Sequence, residues 1–150
     1  MRLGIICTSS RPVLVELEAD WSSHANSVTK FENGDFLMSS RHTNTIYRIN
    51  HLDGSIVWRL GGKFSDFQMD FNFSSQHHAR VYSENSTTTI LTFFDNAHDI
   101  ELWQNDSSER SSGKMIALNS QPEPMTASVC VVMFRSKTRL TLVLAYTSMV

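Results

Sequence analysis

The chain has 150 residues, 41% of them hydrophobic and 19% charged, a globular composition that excludes a disordered polymer. Its formal net charge of -2 offers no broad basic surface, so nucleic acid is not an expected partner. No run of about 18 apolar residues is present to span a membrane as a helix.

Residues 1–10 hold one basic residue and a very short apolar run, too short for the core of a secretory signal. Residues 1–21 read as the end of a preceding blade or as a leader outside the domain, with 11–21 either one or two helical turns or, as favoured, a strand at 13–17. Cys7 and Cys130 are far apart in sequence and read as unpaired, mostly buried thiols.

Residues 24–62 read as four short strands, 26–31, 35–40, 45–50 and 55–60, joined by tight turns. Asn33-Gly34 and Asp53-Gly54 mark two of these turns, because both residue types tolerate the positive φ of a hairpin. In the second strand Phe36 and Met38 point one way and Leu37 the other. In the fourth, Ile56, Trp58 and Leu60 share a face with Val57 opposite. Apolar side chains on both faces are what a sheet packed between two others needs, as in a blade of a β-propeller. Trp58 is expected in the core, and Gly61-Gly62 where the chain leaves the sheet with a special backbone.

Residues 63–75 carry Phe64, Phe67, Phe71 and Phe73 without a clean period, as a long connection pinned by aromatics would. The strand pattern then begins again at 78–83, 88–94, 114–119 and 127–134. A turn falls at 84–87, and a polar excursion at 96–113 has room for a short strand at 100–103. His24 and His77 each open a unit, 53 positions apart, and Ile46-Tyr47-Arg48-Ile49-Asn50 is answered by Met115-Ile116-Ala117-Leu118-Asn119. A four-stranded repeat near this length is the period of a propeller blade. Residues 135–150 turn basic and then apolar; they could be a strand of a third blade, but the lack of turn residues favours a divergent tail outside the fold. Sequons at Asn72, Asn85 and Asn105 are a slight pointer to a secretory origin.

Five segments then stand out in order: His24-Ala25-Asn26-Ser27-Val28, Gly34-Asp35-Phe36-Leu37-Met38-Ser39-Ser40-Arg41-His42, Ile56-Val57-Trp58-Arg59-Leu60-Gly61-Gly62, Gln76-His77-His78-Ala79-Arg80 and Phe94-Asp95-Asn96-Ala97. Together they resemble the arylsulfotransferase family, especially its fungal branch, over about residues 20–134. The resemblance implies an all-β fold, a fragment of a six-bladed β-propeller. Its two four-stranded antiparallel blades would lie at 22–62 and 76–134, with a partial strand besides. It also implies transfer of a sulfuryl group from an aryl sulfate to a phenol through a transiently sulfated histidine, with no cofactor. By motif, His77 matches the nucleophile, and His24, Asn26 and Arg41 match groups lining the sulfate pocket. Ser75 stands where the family usually has an aromatic, and His78 where an acidic residue is common. The earlier blades of the family, with a further histidine, are absent, so the chain reads as the C-terminal part of such a domain.

The residue types suit that chemistry. A sulfuryl group in transfer spreads negative charge over its oxygens, so it needs a nucleophile with an open lone pair and donors around it. Neutral imidazole supplies the first, and Arg41, Asn26 and a second histidine supply the second. Other roles exist for each. Histidines at strand starts are often bonded to backbone, Arg41 by pattern alone is a surface or inter-blade residue, and Asp95-Asn96 has the form of a turn cap. His24, His77 and His78 lack the spaced carboxylate or cysteine that would complete a zinc set, so no metal is expected. The alternative to an enzyme is a propeller-derived binding or structural module without chemistry.

Overall fold

Hairpin chemistry shapes the first half of the chain. In the computed structural model, which describes residues 5–7, 12–14, 24–97, 111–121, 124–135 and 140–143, two short strands come first: β1 (Ile5–Cys7) and β2 (Pro12–Leu14), paired antiparallel. Then β3 (Ala25–Lys30), β4 (Phe36–Ser40), β5 (Thr45–Ile49) and β6 (Ile56–Gly61) form a four-stranded antiparallel meander in sequence order. Gly34 takes φ +96° in the β3–β4 turn, closed by Phe31 N donating to Asp35 O at 2.8 Å. Gly54, at φ +76°, donates its N–H to Asn50 O at 3.0 Å between β5 and β6. Both turns use a residue that adopts left-handed φ without a Cβ penalty.

The second sheet runs β8 (His77–Glu84), β9 (Thr88–Asp95), β10 (Ser112–Asn119), β11 (Thr126–Arg135) and β12 (Leu140–Val143), each antiparallel to the next. In this second half two details depart from the sequence reading. The connection at 63–75 contains a two-residue strand, β7 (Gln68–Met69), parallel to the start of β11. The segment 135–150 is not wholly outside the fold, because Leu140 to Val143 pairs with Arg135 to Val132. An alternating β-branched and apolar stretch there satisfies the outer edge of β11, whose other end is covered by β7. Residues 15–17 and 100–103, also expected as strand, lie outside the described residues.

Both faces of the first sheet bury apolar side chains, as the two-sided pattern requires. Leu37, Ile46, Trp58 and Leu60 join Leu91, Phe93, Ile116, Leu118 and Ala127 of the second sheet in one core. Phe67 and Phe73 of the connection pack into the same core, Phe67 edge-on to Trp58 at 5.6 Å and Phe73 against Phe93 at 4.9 Å. Phe36, Met38, Tyr47 and Ile49 form a separate cluster on the opposite face. Fully burying one such Leu or Ile is worth about 1.5–3 kcal/mol, so the shared core holds the two sheets together.

Ile56 does not share the face of Trp58 and Leu60. The register pairs Arg48 with Trp58 but Ile49 with Ile56, which leaves Val57 as a bulged residue. The extra residue flips Ile56 to the Phe36 and Ile49 side, where it packs partly buried. The fold is therefore all-β, with no helix among the described residues. Its two larger antiparallel sheets share one core, in keeping with propeller-like blades.

Candidate functional site

Where the connection enters the second sheet, the backbone leaves regular strand geometry. Ser75 and His78 both take left-handed φ, +51° and +59°, and the β8–β9 register shifts between His77 and Arg80. Non-glycine residues hold such conformations only when surroundings fix them. Here the first sheet does the fixing. Asn44 Oδ1 accepts the Ser75 N–H at 2.7 Å, and Ser27 Oγ accepts the Ala79 N–H at 3.0 Å. Arg41 Nη1 donates to Ser75 O at 3.0 Å, and Asn26 Nδ2 donates to Gln76 O at 2.7 Å. From the second sheet, Asn96 Nδ2 also donates to Ser75 O, at 2.5 Å.

Gln76 is fully buried, and its Nε2 lies 3.1 Å from Ser39 Oγ, 3.0 Å from Ser40 O and 3.1 Å from Thr45 O. An amide nitrogen has only two N–H groups, so these three acceptors share them. Ser39 and Ser40 interrupt the apolar run of β4, and the Gln76 amide, just ahead of the second sheet, donates to Ser39 Oγ and Ser40 O. Among the described residues, Gln76 Oε1, Asn26 Oδ1 and Ser40 Oγ are buried without a hydrogen-bond partner. A buried polar atom left so costs on the order of 1–3 kcal/mol, the kind of cost that clusters at functional sites.

His77 follows directly. Its half-buried ring stacks on Phe94, its cross-strand partner, with centroids 5.2 Å apart and planes tilted by 23°. No hydrogen bond from the described residues engages its ring nitrogens, so the backbone-bonded role common for histidines at strand starts does not apply here. His24 is exposed, its carbonyl accepts the Arg41 N–H at 2.8 Å, and its ring lies 5.5 Å from that of His42. Thus Asn26 and Arg41 meet the two carbonyls just before His77, and His24 is tied to Arg41. Among the described residues no hydrogen bond or ring contact joins His24 to His77 directly.

Asp95 behaves as the turn cap its sequence suggests. Its Oδ1 accepts the Ala97 N–H at 2.8 Å and the Ser74 N–H at 3.0 Å, and Lys114 Nζ lies 3.3 Å from its Oδ2. Asn96, the other half of that pair, instead reaches back to Ser75. Sequence reasoning gave no role to Gln76, Asn44, Ser27 or Phe94. The polar Ser39-Ser40 step beside an apolar run was the one local signal that something polar must cross from elsewhere.

Among the described residues no three His, Cys, Asp or Glu side chains gather as metal ligands. A cleft of about 410 Å³ lies elsewhere, between Arg48, Trp58, Phe67, Glu84, Thr87 and Leu118, and none of His24, Asn26, Arg41 or His77 lines it. A family model described as Arylsulfotransferase (ASST) matches residues 18–138, a span that contains all four of those side chains. No curated protein and no solved structure matches the chain.

Proposed function

The chain belongs to the arylsulfotransferase family, and from that premise we propose that it moves a sulfuryl group from an aryl sulfate to a phenol through His77. The observation that supports this most is the seam before His77. Asn26 and Arg41 hold the backbone carbonyls of Gln76 and Ser75, the two residues before an imidazole with no hydrogen bond to its nitrogens from the described residues. In the first step an imidazole nitrogen attacks sulfur, forming an N–S bond as the S–O bond to the aryl group breaks. The departing phenolate takes up a proton. In the second step the acceptor phenol attacks sulfur, the N–S bond breaks, and the acceptor's proton is lost to solvent. Arg41 uses one of the five N–H groups of its guanidinium on Ser75 O, leaving others for the sulfuryl oxygens. His24 and Asn26 complete the polar surroundings. No cofactor enters this scheme.

The test is release of nitrophenol from 4-nitrophenyl sulfate by the purified chain, with and without phenol. Release that depends on phenol and disappears in a folded His77→Ala variant is the expected result. Absence of release from folded wild-type chain under any donor and acceptor pair tried would overturn the proposal. A second reading, a propeller-like module without chemistry, is favoured by one observation: Asn26 and Arg41 each direct a donor at backbone rather than into an open pocket.

A further inference from the structure

We propose that Gln76 is a positioning residue for His77, a side chain by which the first sheet sets the place of the imidazole. The inference rests on the reading of His77 as nucleophile, and its argument lies in how the seam is built. Gln76 and His77 are adjacent, yet their side chains go opposite ways, as neighbouring residues of an extended chain do. One is fully buried between the sheets, and the other is half-buried on Phe94. The backbone between them carries little regular pairing, because the β8–β9 register breaks just after His77 and His78 is left-handed. Ladder hydrogen bonds therefore cannot set the ring's position alone.

The carboxamide of Gln76 supplies what the ladder lacks. It engages acceptors on β4 and at the start of β5, namely Ser39 Oγ, Ser40 O and Thr45 O. The backbone carbonyl of Gln76 accepts from Asn26, so both main chain and side chain of the residue are fixed to the first sheet. Asn26 and Arg41 sit on that same sheet. A rigid link from it to the residue before the nucleophile keeps His77 in register with the donors that would receive the sulfuryl oxygens. Misplacing a reacting group by about 1 Å can cost on the order of 100-fold in rate, so such a link matters to chemistry as well as to folding.

The experiment uses the full chain and the Gln76→Met variant, which keeps the length of the side chain and removes its donors. In the wild type, the His77 ring protons, identified by their loss in His77→Ala, are shifted upfield by the face of Phe94. In Gln76→Met they move toward the position of an unstructured histidine. The same variant lowers kcat for sulfuryl transfer on the order of 10- to 100-fold, with KM for the donor within about 2-fold. A general loss of stability would move neither the ring shift nor the split between kcat and KM in the population that remains folded. Should Gln76→Met fail to fold, Ser39→Ala removes one acceptor only, and a smaller shift in the same direction is expected. His77 ring signals at wild-type positions in folded Gln76→Met, or in Ser39→Ala where that variant is needed, would overturn the assignment. An inactive wild-type chain would count against sulfuryl transfer alone, since the ring-proton measurement decides the positioning role without turnover.

Discussion

Arg48 Nε lies 2.8 Å from Asp35 Oδ2, and this ion pair is the inner half of a bridge between the two sheets. The same guanidinium reaches Glu84 at the end of β8 with Nη1 at 2.6 Å and lies over the Phe31 ring at 4.1 Å. His51 Nδ1 approaches the other carboxylate oxygen of Asp35 at 3.1 Å. Burial pushes the Asp35 carboxyl up, but hydrogen bonds from His51, Asn33, Arg48 and the His51 backbone outweigh it and hold the group at about 2.

A pH dependence follows from that depression. The folded value of about 2 lies below the ordinary 3.8, so the stabilisation is complete above pH 3.8 and is lost as pH falls through about 2. A shift of this size corresponds to about 2 kcal/mol. Asp35→Asn is expected to lose about that much stability at neutral pH, and its unfolding midpoint in urea is expected to change less between pH 5 and 2 than that of wild type. Equal acid sensitivity in the two proteins would remove Asp35 as the source.

Gly61 and Gly62 take φ +78° and +65° as the chain leaves β6. A Cβ on Gly61 would come within 2.7 Å of Asn44 O and would also strike the Phe73 ring. Neither neighbour yields easily, since Phe73 is core and Asn44 holds the Ser75 N–H. Gly61→Ala is therefore expected to cost more than about 2 kcal/mol, combining backbone strain with overpacking. Gly34→Ala meets only the His51 ring, at 3.3 Å, and that side chain is a third exposed and can swing away. Paired denaturation curves should rank Gly61→Ala as clearly the more damaging. The reverse order would mean that the β6 exit is less constrained than its geometry indicates.

Local chemistry made much of this fold legible. Asn33-Gly34 and Asp53-Gly54 name their turns because glycine takes positive φ without a Cβ penalty, and the opposed Phe36 and Leu37 announce a sheet buried on both faces. What escaped was whatever depends on register or on distant partners. Val57 looks like any exposed strand residue, yet bulging it reverses the face of Ile56, since side chains alternate with a period of two. Leu140 to Val143 carries no turn signal in front of it, and only the free edge of β11 explains its place. The site was harder still. Asn26, Arg41 and His77 stood out through their motifs, whereas the bond from Gln76 to Ser39 spans 37 residues and leaves no local trace.

Cys130 is a partly buried free thiol in the middle of β11. Burial pushes its pKa up, with a smaller opposing effect from the Ala117 backbone. Since the thiolate is the reactive form, iodoacetamide at neutral pH should alkylate Cys130 more slowly in the folded chain than in urea, on the order of 10-fold or more. Mass spectrometry of the Cys130 peptide over time measures this. Equal rates in both conditions would mean that β11 opens freely.

Arg41 offers the sharpest separation between holding the seam and stabilising transferred charge. Its Nη1 donates to Ser75 O, a carbonyl that also accepts from Asn96. Arg41→Lys keeps a cation able to reach Ser75 O, so unfolding free energy should fall by no more than about 1 kcal/mol. The planar fork that can engage two sulfuryl oxygens at once is lost, however, and an ammonium does not replace it. Nitrophenol release is then expected to drop on the order of 100-fold, the usual cost of removing one donor from a charge-stabilising site. A Lys variant with wild-type turnover would leave Arg41 as a strut between the sheets, while one that fails to fold would show that the fork itself is what the seam requires.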